Sequence, residues 1–312
     1  MTAITSKPQA AIESGPSTKP VRPVGKNTRW YKPRTILGQV ALWIVLIGLA
    51  VAFLYPFVWL LAATFKPRGD VFDNALIPIH FIWENYAEVW RQLPLLAWLG
   101  NSIYIALLAA GLVTISSSIV AFGFAYFRFR GRNALFGLVI GSMMLPGAVT
   151  MIPVYLIWKD IGFLGTTVPL WGANLFGSAF YIFLQRQFFM GLPRELFEAA
   201  RIDGCSYWGL FRRIAMPLSI PSFIIVFIFE FQASWNNLQA PLIYLNFGSA
   251  DQFTVPLGIS YAMTLFSPTS GGHADYQWVM TAALIVTLPM LFLFAFGQKY
   301  FIEGIATQGR KG

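Results

Sequence analysis

Long apolar runs without charged residues dominate the chain. Six such windows follow one another: Thr35–Phe65, Gln92–Phe127, Asn133–Trp158, Ile161–Gln185, Ile214–Ala250 (interrupted only by Glu230) and Tyr276–Gln298. Each window can hold about 20 apolar residues in a helix, the length that crosses a bilayer. The windows lack the alternation over about 10 residues that is typical of barrel strands. Because a buried core helix would explain one window but not a succession of them, the pattern predicts an all-α membrane protein.

The predicted helices have boundaries set by these windows. They are Ile36–Ala63, Trp98–Phe127, Ala134–Trp158, Thr167–Met190, Leu218–Ala240 and Trp278–Phe301. Five prolines fall inside these helices or at their ends: Pro56, Pro146, Pro153, Pro221 and Pro289. In a membrane, neighbouring helices and water can satisfy the backbone groups that proline leaves free, so we expect bends rather than helix ends. Such bends could serve a transport pathway or only packing, and the sequence leaves both open.

The chain divides into three predicted segments. Residues 1–34 carry seven basic residues and one acid without an apolar stripe, which predicts a disordered basic cytoplasmic tail. A signal peptide is not expected, because the first apolar window is too long and lacks a small-residue cleavage site. Residues 35–304 are predicted to form the membrane domain, and residues 305–312 a C-terminal cytoplasmic tail.

Charge adds an orientation to this picture. Eighteen of the 22 Lys and Arg residues fall in the two tails and in the loops on one side of the predicted spans. The other side has only Lys66, Arg68, Arg91 and Lys159. By the positive-inside rule both termini are expected in the cytoplasm. The net charge of +9 is then explained by topology and anionic lipid, and it requires no nucleic acid.

The sequence offers few residues for catalysis or metal binding. Cys205 is the single cysteine, and His80 and His273 are too far apart to form a recognisable metal signature. No glycine-rich phosphate loop ending in Lys-Ser or Lys-Thr occurs, so the chain is not expected to bind ATP by that route. No nucleophile and base pair stands out among the spans. We therefore expect a protein without enzymatic activity and without its own metal or cofactor.

The polar segment Leu192–Leu218 is predicted to form two short helices. Asp203 and Gly204 supply a stop for the first helix. Ser206 can cap the second helix, which is amphipathic and runs until Pro217.

The first of these helices has one face with little side-chain bulk. Four residues recur on it at helical spacing: Leu196, Ala199, Ala200 and Asp203. A small face favours close contact with another protein. An interfacial helix lying on lipid, with Glu198 pairing to Arg201, is the alternative, and periodicity does not separate the two.

The same segment resembles a known family motif. Glu198-Ala199-Ala200 is followed after three residues by Gly204, after nine more by Ile214, and then by Met216-Pro217. This order resembles the EAA loop of ABC importer permeases, E-A-A-x3-G-x9-I-x-L-P, with Met216 in place of Leu. Three further stretches resemble the carbohydrate-importer branch: Met143–Ile157, Ser234–Leu245 and Phe296–Gly312. The resemblance runs from about Thr35 to the end and is closest to the shorter six-span partner of the maltose-type permease pair.

This resemblance implies the type I ABC importer permease fold, with six transmembrane helices and a cytoplasmic EAA coupling-helix loop, in the inner membrane of a bacterium. The residues that it implies for coupling to an ATPase are Glu198, Ala199, Ala200, Asp203, Gly204 and Pro217. The implied partners are a second permease subunit, a dimeric cytoplasmic ATPase that binds ATP and Mg, an extracytoplasmic solute-binding protein, and a saccharide substrate.

A possible substrate path follows from Glu230, the ionisable residue well inside a membrane window. Helical counting places it on a stripe with Phe223, Phe227, Ser234, Asn237 and Pro241, with Gln232 and Asn236 on an adjacent one. Aromatic rings and amide groups suit a polyhydroxylated solute. The predicted path comprises Glu230, Ser234, Asn236, Asn237, Met143 and Asn174. Alternatively, Glu230 hydrogen-bonds another helix and has no substrate role.

The function predicted is the import of a sugar or oligosaccharide by alternating access, driven by ATP hydrolysis in a partner chain. A secondary transporter is one alternative, although neither an internal repeat nor a set of buried ion-coupling residues is evident. A permease for another solute, such as a polyol or glycerol phosphate, is a second alternative. A membrane enzyme is the third.

Overall fold

The computed structural model describes residues 36–308 except 74, 247, 271 and 272. All regular secondary structure within these residues is helical, which confirms the all-α prediction. The predicted N-terminal tail, residues 1–34, lies outside the described residues, as do residues 309–312 of the predicted C-terminal tail.

Fourteen helices lie within the described residues. They are α1 Ile36–Ala63, α2 Asn85–Gln92, α3 Leu95–Tyr126, α4 Arg132–Ser142, α5 Gly147–Asp160, α6 Val168–Gly172, α7 Ala179–Met190, α8 Arg194–Ile202, α9 Tyr207–Leu210, α10 Met216–Leu218, α11 Ile220–Trp235, α12 Gln239–Tyr244, α13 Val255–Leu265 and α14 Tyr276–Gln308. Short 3₁₀ turns lie at Arg68–Asp70, Ala173–Phe176, Ala250–Gln252 and Pro268–Ser270. The chain divides into two units, Met1–Leu54 and Tyr55–Gly312. The first unit holds most of α1, and the second holds the end of α1 and the remaining helices.

Three helical segments of the described chain are long and apolar enough to cross a membrane: Gly38–Ala63, Leu95–Tyr126 and Tyr276–Gln298. The number rises to five if two bent pairs each count as one span. These pairs are Arg132–Ser142 with Gly147–Asp160 and Tyr207–Leu218 with Ile220–Trp235. The helix α1 has the boundaries predicted for the first span, whereas the total of six spans stays a prediction.

The third predicted span is not one helix. It consists of α4 and α5, which meet at an angle of 96°. Pro146 follows the break in an extended conformation, with φ −62° and ψ 135°. Because proline donates no hydrogen bond and disfavours helical geometry at the residue before it, the ladder stops at Met143–Leu145. The prediction of a continuous helix over Ala134–Trp158 is therefore wrong.

The fourth predicted span is also broken. Its first part is α6 followed by the 3₁₀ turn Ala173–Phe176, and its second part is α7. Gly177 separates them with φ 80° and ψ 172°, a conformation that side chains with a Cβ rarely adopt. The continuous helix expected over Thr167–Met190 is wrong for this reason.

The helix of the fifth predicted span ends earlier than expected. Helix α11 stops at Trp235 rather than at Ala240. The Asn237 side chain then accepts a hydrogen bond from the Ala240 backbone N–H at 3.0 Å, which starts the separate helix α12. Asparagine side chains compete in this way with backbone bonding and favour caps and turns. The helix α14 of the last predicted span begins at Tyr276 and continues to Gln308, beyond the predicted Phe301.

Helix α3 lies at the centre of the second unit. Its buried positions are mostly small: Ser102, Ala106, Ala109, Ala110, Ser117, Ser118 and Ala121. Small side chains let helix backbones approach closely, which is how membrane helices pack without a hydrophobic drive. At the start of α3, Trp98 is wholly buried and donates from Nε1 to the Ala250 carbonyl at 2.8 Å. It anchors an apolar cluster that includes residues of α11, α13 and α14.

A buried lysine orders the segment between α1 and α2. The Lys66 ammonium is almost fully buried, and it donates to the carboxylate and the backbone carbonyl of Asp73. The Asn85 side chain donates to the Thr64 and Lys66 carbonyls at 2.9 and 3.1 Å. The hydrogen bond from Lys66 lowers the pKa of Asp73 below its ordinary value. The stability that the ionised Asp73 carboxylate contributes is therefore present above its unfolded-state pKa. It is lost as the pH falls through the folded-state pKa of Asp73.

We expect Gly258→Ala to destabilise the second unit. A Cβ at Gly258 would overlap the indole ring of Trp98, which is fixed by its hydrogen bond and its burial. Overpacking of this kind costs about 1–3 kcal/mol. Thermal unfolding of the purified full-length chain should show a lower Tm. The matched control is Gly100→Ala, because a Cβ at Gly100 meets nothing within 4 Å. Equal Tm values for the two variants would contradict the packing described for Trp98.

Candidate functional site

The segment Leu192–Leu218 forms the two helices predicted for it. Helix α8 ends at Ile202 with Asp203 as its C-cap, and Gly204 follows with φ 81°. The Cys205 N–H donates to the Ala200 carbonyl at 2.9 Å, and the Gly204 N–H donates to the Arg201 carbonyl at 3.1 Å. These two bonds form a Schellman motif, in which glycine supplies the left-handed residue. The predicted stop at Asp203 and Gly204 is thus confirmed.

The second helix of this segment begins with the predicted cap. The Ser206 hydroxyl accepts a hydrogen bond from the Gly209 N–H at 3.1 Å. A π-helical turn at Phe211–Ala215 leads into α10. Pro217 in α10 cannot donate to the carbonyl four residues earlier, which favours the wider turn before it.

Helix α8 is anchored by a single buried side chain. Phe197 packs in an apolar cluster with Phe122 of α3, Phe189 of α7 and Phe211. Glu198 and Ala199 are exposed, whereas Ala200 is half-buried. The predicted small face is therefore only partly accessible.

One prominent residue of this surface was not predicted from the sequence. Ile202 is 87% exposed and lies one helical turn after Ala199. Its spacing of three residues from Ala199 was the available signal, because it places both side chains on one face.

The alternative pairing of Glu198 with Arg201 does not form. The described side chains make three ion pairs, and none of them includes Glu198. The Arg201 guanidinium instead donates to the Cys205 carbonyl at 3.1 Å and lies 4.3 Å above the centre of the Tyr207 ring. The Glu198 carboxylate is consequently available to a partner.

The second candidate region surrounds Glu230 of α11. Its Oε1 accepts a hydrogen bond from Asn174 Nδ2 at 2.7 Å, and its carboxylate also interacts electrostatically with the nearby Tyr181 hydroxyl. Asn174 lies in the 3₁₀ turn that precedes α7, and Tyr181 lies in α7. The carboxylate therefore joins α11 to both halves of the broken fourth span.

Asn174 also fixes this turn against α3. The Asn174 Nδ2 donates to the Ala109 carbonyl at 3.1 Å. The Asn174 backbone carbonyl accepts a hydrogen bond from the Ser116 hydroxyl at 2.9 Å. The structure thus brings together Glu230 and Asn174 of the predicted path. It also adds Tyr181 and Ser116, which sequence reasoning missed because their partners are distant in the chain.

Asn237 belongs to a different surface from Glu230. It lines a groove of about 240 Å³ between the fifth predicted span and α5, together with Thr150, Met151, Gln239 and Tyr244. Gln239 Nε2 lies 3.3 Å from the Met151 sulfur. The predicted stripe from Glu230 through Asn237 to Pro241 does not exist as one helical face, because α11 ends between them.

The remaining predicted path residues are dispersed. Ser234 is half-buried near the end of α11. Asn236 is exposed and donates to the Gln232 carbonyl of the preceding helix, α11, at 2.9 Å. Met143 is exposed at the bend between α4 and α5.

The fold is that of a helical protein with apolar segments long enough to cross a membrane. Residues 115–307 match the family model described as "Binding-protein-dependent transport system inner membrane component". The chain belongs to this family. It is thus a transporter component and not an enzyme.

Curated relatives agree over most of the chain. The arabinooligosaccharides transport system permease protein AraQ of Halalkalibacterium halodurans is 33% identical over 86% of this chain and 96% of its own length. The lactose transport system permease protein LacG of Rhizobium radiobacter is 30% identical over 81% of this chain and 89% of its own length. These matches favour neither a secondary transporter nor a membrane enzyme.

A solved structure has the same fold. A chain of a bacterial ABC transporter involved in the import of the acidic polysaccharide alginate matches with a TM-score of 0.73. The match covers 87% of this chain and 99% of that chain at 20% identity. A second structure, an alginate ABC transporter in complex with an alginate pentasaccharide-bound periplasmic protein, matches with a TM-score of 0.60, 15% identity, and coverage of 84% of this chain and 94% of that chain. The importer permease fold expected from the sequence is thus confirmed.

We expect Glu230→Leu to lower the thermal stability of the full-length chain. The change leaves one N–H of the Asn174 side chain without its carboxylate acceptor and removes the charge beside the Tyr181 hydroxyl. Loss of such partners costs about 1–3 kcal/mol. Glu230→Gln should be milder, since its amide keeps one oxygen acceptor.

The matched control for this measurement is Gln232→Leu, an exposed position on the same helix. Its Tm should remain close to that of the wild type. A Glu230→Leu variant as stable as the control would show that the carboxylate does not join the helices.

Proposed function

We propose that this chain is a membrane-spanning permease subunit of an ATP-driven importer that carries a sugar or oligosaccharide by alternating access. The observation that carries the proposal is the similarity over more than four-fifths of the chain to permeases named for arabinooligosaccharides and lactose. Oligosaccharides present many hydroxyl groups, which amide and hydroxyl side chains can bind. The assignment of a sugar or oligosaccharide as the substrate thus rests on the named relatives.

The proposed assembly has four kinds of component. A second permease completes the path, an extracytoplasmic binding protein delivers the sugar, and a dimeric cytoplasmic ATPase binds ATP and Mg. Both termini and the segment Leu192–Leu218 lie on the cytoplasmic side of the bacterial inner membrane. The positive-inside charge distribution supports this orientation.

The ATPase docks on α8 in this proposal. Three features support it: the exposed Glu198 carboxylate lacks an ion pair among the described residues, Ala199 leaves room for close approach, and Ile202 offers an apolar anchor. A carboxylate can accept strong hydrogen bonds from a cationic partner. Exposed apolar side chains are typical of interaction surfaces when they lie beside polar ones.

The sugar path includes the groove at Asn237 and Gln239. Its amides and the Thr150 hydroxyl are polar, while Met151 and Tyr244 give apolar walls. This mixture suits the hydroxyls and C–H faces of a sugar. Glu230 and Asn174 are assigned instead to holding the broken span beside the path, because their polar groups are already paired with each other.

Reconstituted transport tests the proposed function. The test uses proteoliposomes that contain this chain with its permease and ATPase partners. They should accumulate labelled oligosaccharide only when ATP is present in the lumen, on the ATPase side, and the binding protein is present outside. An ionophore that dissipates proton and sodium gradients should leave the initial rate unchanged. Uptake that follows an ion gradient without ATP would sink the proposal.

We expect Gly204→Val to weaken assembly with the ATPase. Valine at φ 81° is strained by about 1–2 kcal/mol, and so the turn after α8 should shift. Co-purification of the ATPase and substrate-stimulated ATP hydrolysis should both fall, while the amount of membrane-inserted chain is maintained.

Gly131→Val is the matched control. Gly131 has φ 84° and, as at Gly204, no other group lies within 4 Å of the place that a Cβ would occupy, but this glycine precedes α4. The control carries the same backbone strain in a different loop. Equal loss of ATPase binding in both variants would mean that general strain, and not the α8 turn, causes the effect.

A further inference from the structure

A cavity of about 540 Å³ opens beside α8, where α3 and α7 end. Its wall contains six aromatic side chains: Phe122, Tyr126, Phe127, Phe189, Phe197 and Tyr207. Pockets of this size accommodate small organic ligands or headgroups. The groove proposed for the sugar lies among other residues, so this cavity requires its own explanation.

The cavity is strongly cationic. Its charged lining residues are Arg128, Arg132, Arg186, Arg194 and Glu198. Four arginines and one carboxylate therefore line the cavity. None of the four arginines takes part in the ion pairs that the described side chains form.

Two of these arginines are held in place by the end of α3. Arg132 Nη1 donates to the Phe127 carbonyl at 3.3 Å, and Arg186 Nε donates to the Phe124 carbonyl at 3.4 Å. The Arg186 guanidinium also lies 4.1 Å above the Phe136 ring. Both side chains are half-buried, so their remaining donors are directed by fixed contacts rather than by free rotation.

Arginine clusters of this kind recognise phosphate. A guanidinium has five N–H donors in a planar fork, and each of these two uses one donor on the backbone. The donors that remain match the oxygens of a phosphate group. Repulsion among neighbouring cations is relieved when such an anion binds between them, and a basic pocket between membrane helices is a recognised site for lipid headgroups.

We propose that this cavity binds a phosphate-bearing anion, with Arg132 and Arg186 as its principal ligands and Arg128 and Arg194 at its rim. The aromatic wall accommodates the organic part attached to the phosphate. The site goes beyond the proposed transport role and does not depend on it. The bound phosphate group belongs either to an anionic phospholipid headgroup or to a soluble phosphate.

Native mass spectrometry of the full-length chain tests the lipid source. The chain is released from micelles that contain equal amounts of phosphatidylglycerol and phosphatidylcholine with the same acyl chains. Retention of phosphatidylglycerol should exceed that of phosphatidylcholine by about tenfold, since charge-assisted bonds add to the contacts that both lipids make. The Arg132→Gln/Arg186→Gln variant should lose this preference.

Lipid-depleted chain in neutral detergent tests the soluble source. Inorganic phosphate is titrated while thermal unfolding is followed. A phosphate-dependent rise in Tm that the double variant lacks assigns the site to a soluble phosphate. A lipid preference without that rise assigns it to the headgroup.

The matched control removes two charges elsewhere in the same region. Arg130 and Arg213 are exposed and do not line this cavity, so Arg130→Gln/Arg213→Gln should keep the lipid preference or the phosphate response. If the control loses as much as the cavity variant, general surface charge explains the binding and the proposal fails. The proposal also fails if the wild type shows neither lipid preference nor a phosphate response.

A second pair of variants covers the case in which the double variant does not fold. Arg128 and Arg130 are both exposed and lie two residues apart, but only Arg128 lines the cavity. Arg128→Gln should reduce anion binding severalfold, whereas Arg130→Gln should not. Equal binding by these two variants would overturn the assignment of the cavity.

Discussion

Backbone hydrogen bonding inside a bilayer is the constraint on which this architecture depends. A span that breaks must find partners for its free N–H and C=O groups within the protein, since lipid provides none. The fourth predicted span breaks at Gly177, and two serines of α3 supply partners for its backbone. Ser116 donates to the Asn174 carbonyl at 2.9 Å, and Ser117 accepts from the Ser178 N–H at 3.0 Å. The break is therefore a specified feature of the fold, and α3 is polar where the break requires it.

The sequence predicted element types better than their continuity. The charge-free window gave α1 its observed boundaries, because uniform apolarity alone determines where such a helix can lie. Proline did not have a uniform effect. Pro56 and Pro289 lie within continuous helices, whereas Pro146 follows a break of 96°. Pro146 is followed directly by Gly147, whereas Pro56 and Pro289 are not followed by glycine. Two adjacent helix-disfavouring residues mark a break that the length of an apolar window does not reveal.

In the two candidate regions, features set by neighbouring residues were predictable from the sequence, whereas contacts between distant residues were not. The stop at Gly204 and the cap at Ser206 were predictable, because each depends on residues within one turn of itself. The partner of Glu230 was not predictable, since Asn174 is 56 residues away in the chain. The predicted stripe was also wrong beyond Trp235. There the Asn237 side chain accepts a hydrogen bond from the Ala240 N–H and a new helix begins, so the helical periodicity of α11 does not continue.

Helix α3 connects the two regions physically. Near its middle, the Ala109 carbonyl holds Asn174 and hence the Glu230 group. Further along, Phe122 packs against Phe197, the buried anchor of α8. The two points are thirteen residues apart in one uninterrupted helix, which corresponds to about 20 Å at the rise of an α-helix. Because a packed helix moves as a rigid element, displacement of α8 would reach the broken span through α3 without requiring the intervening loops to deform.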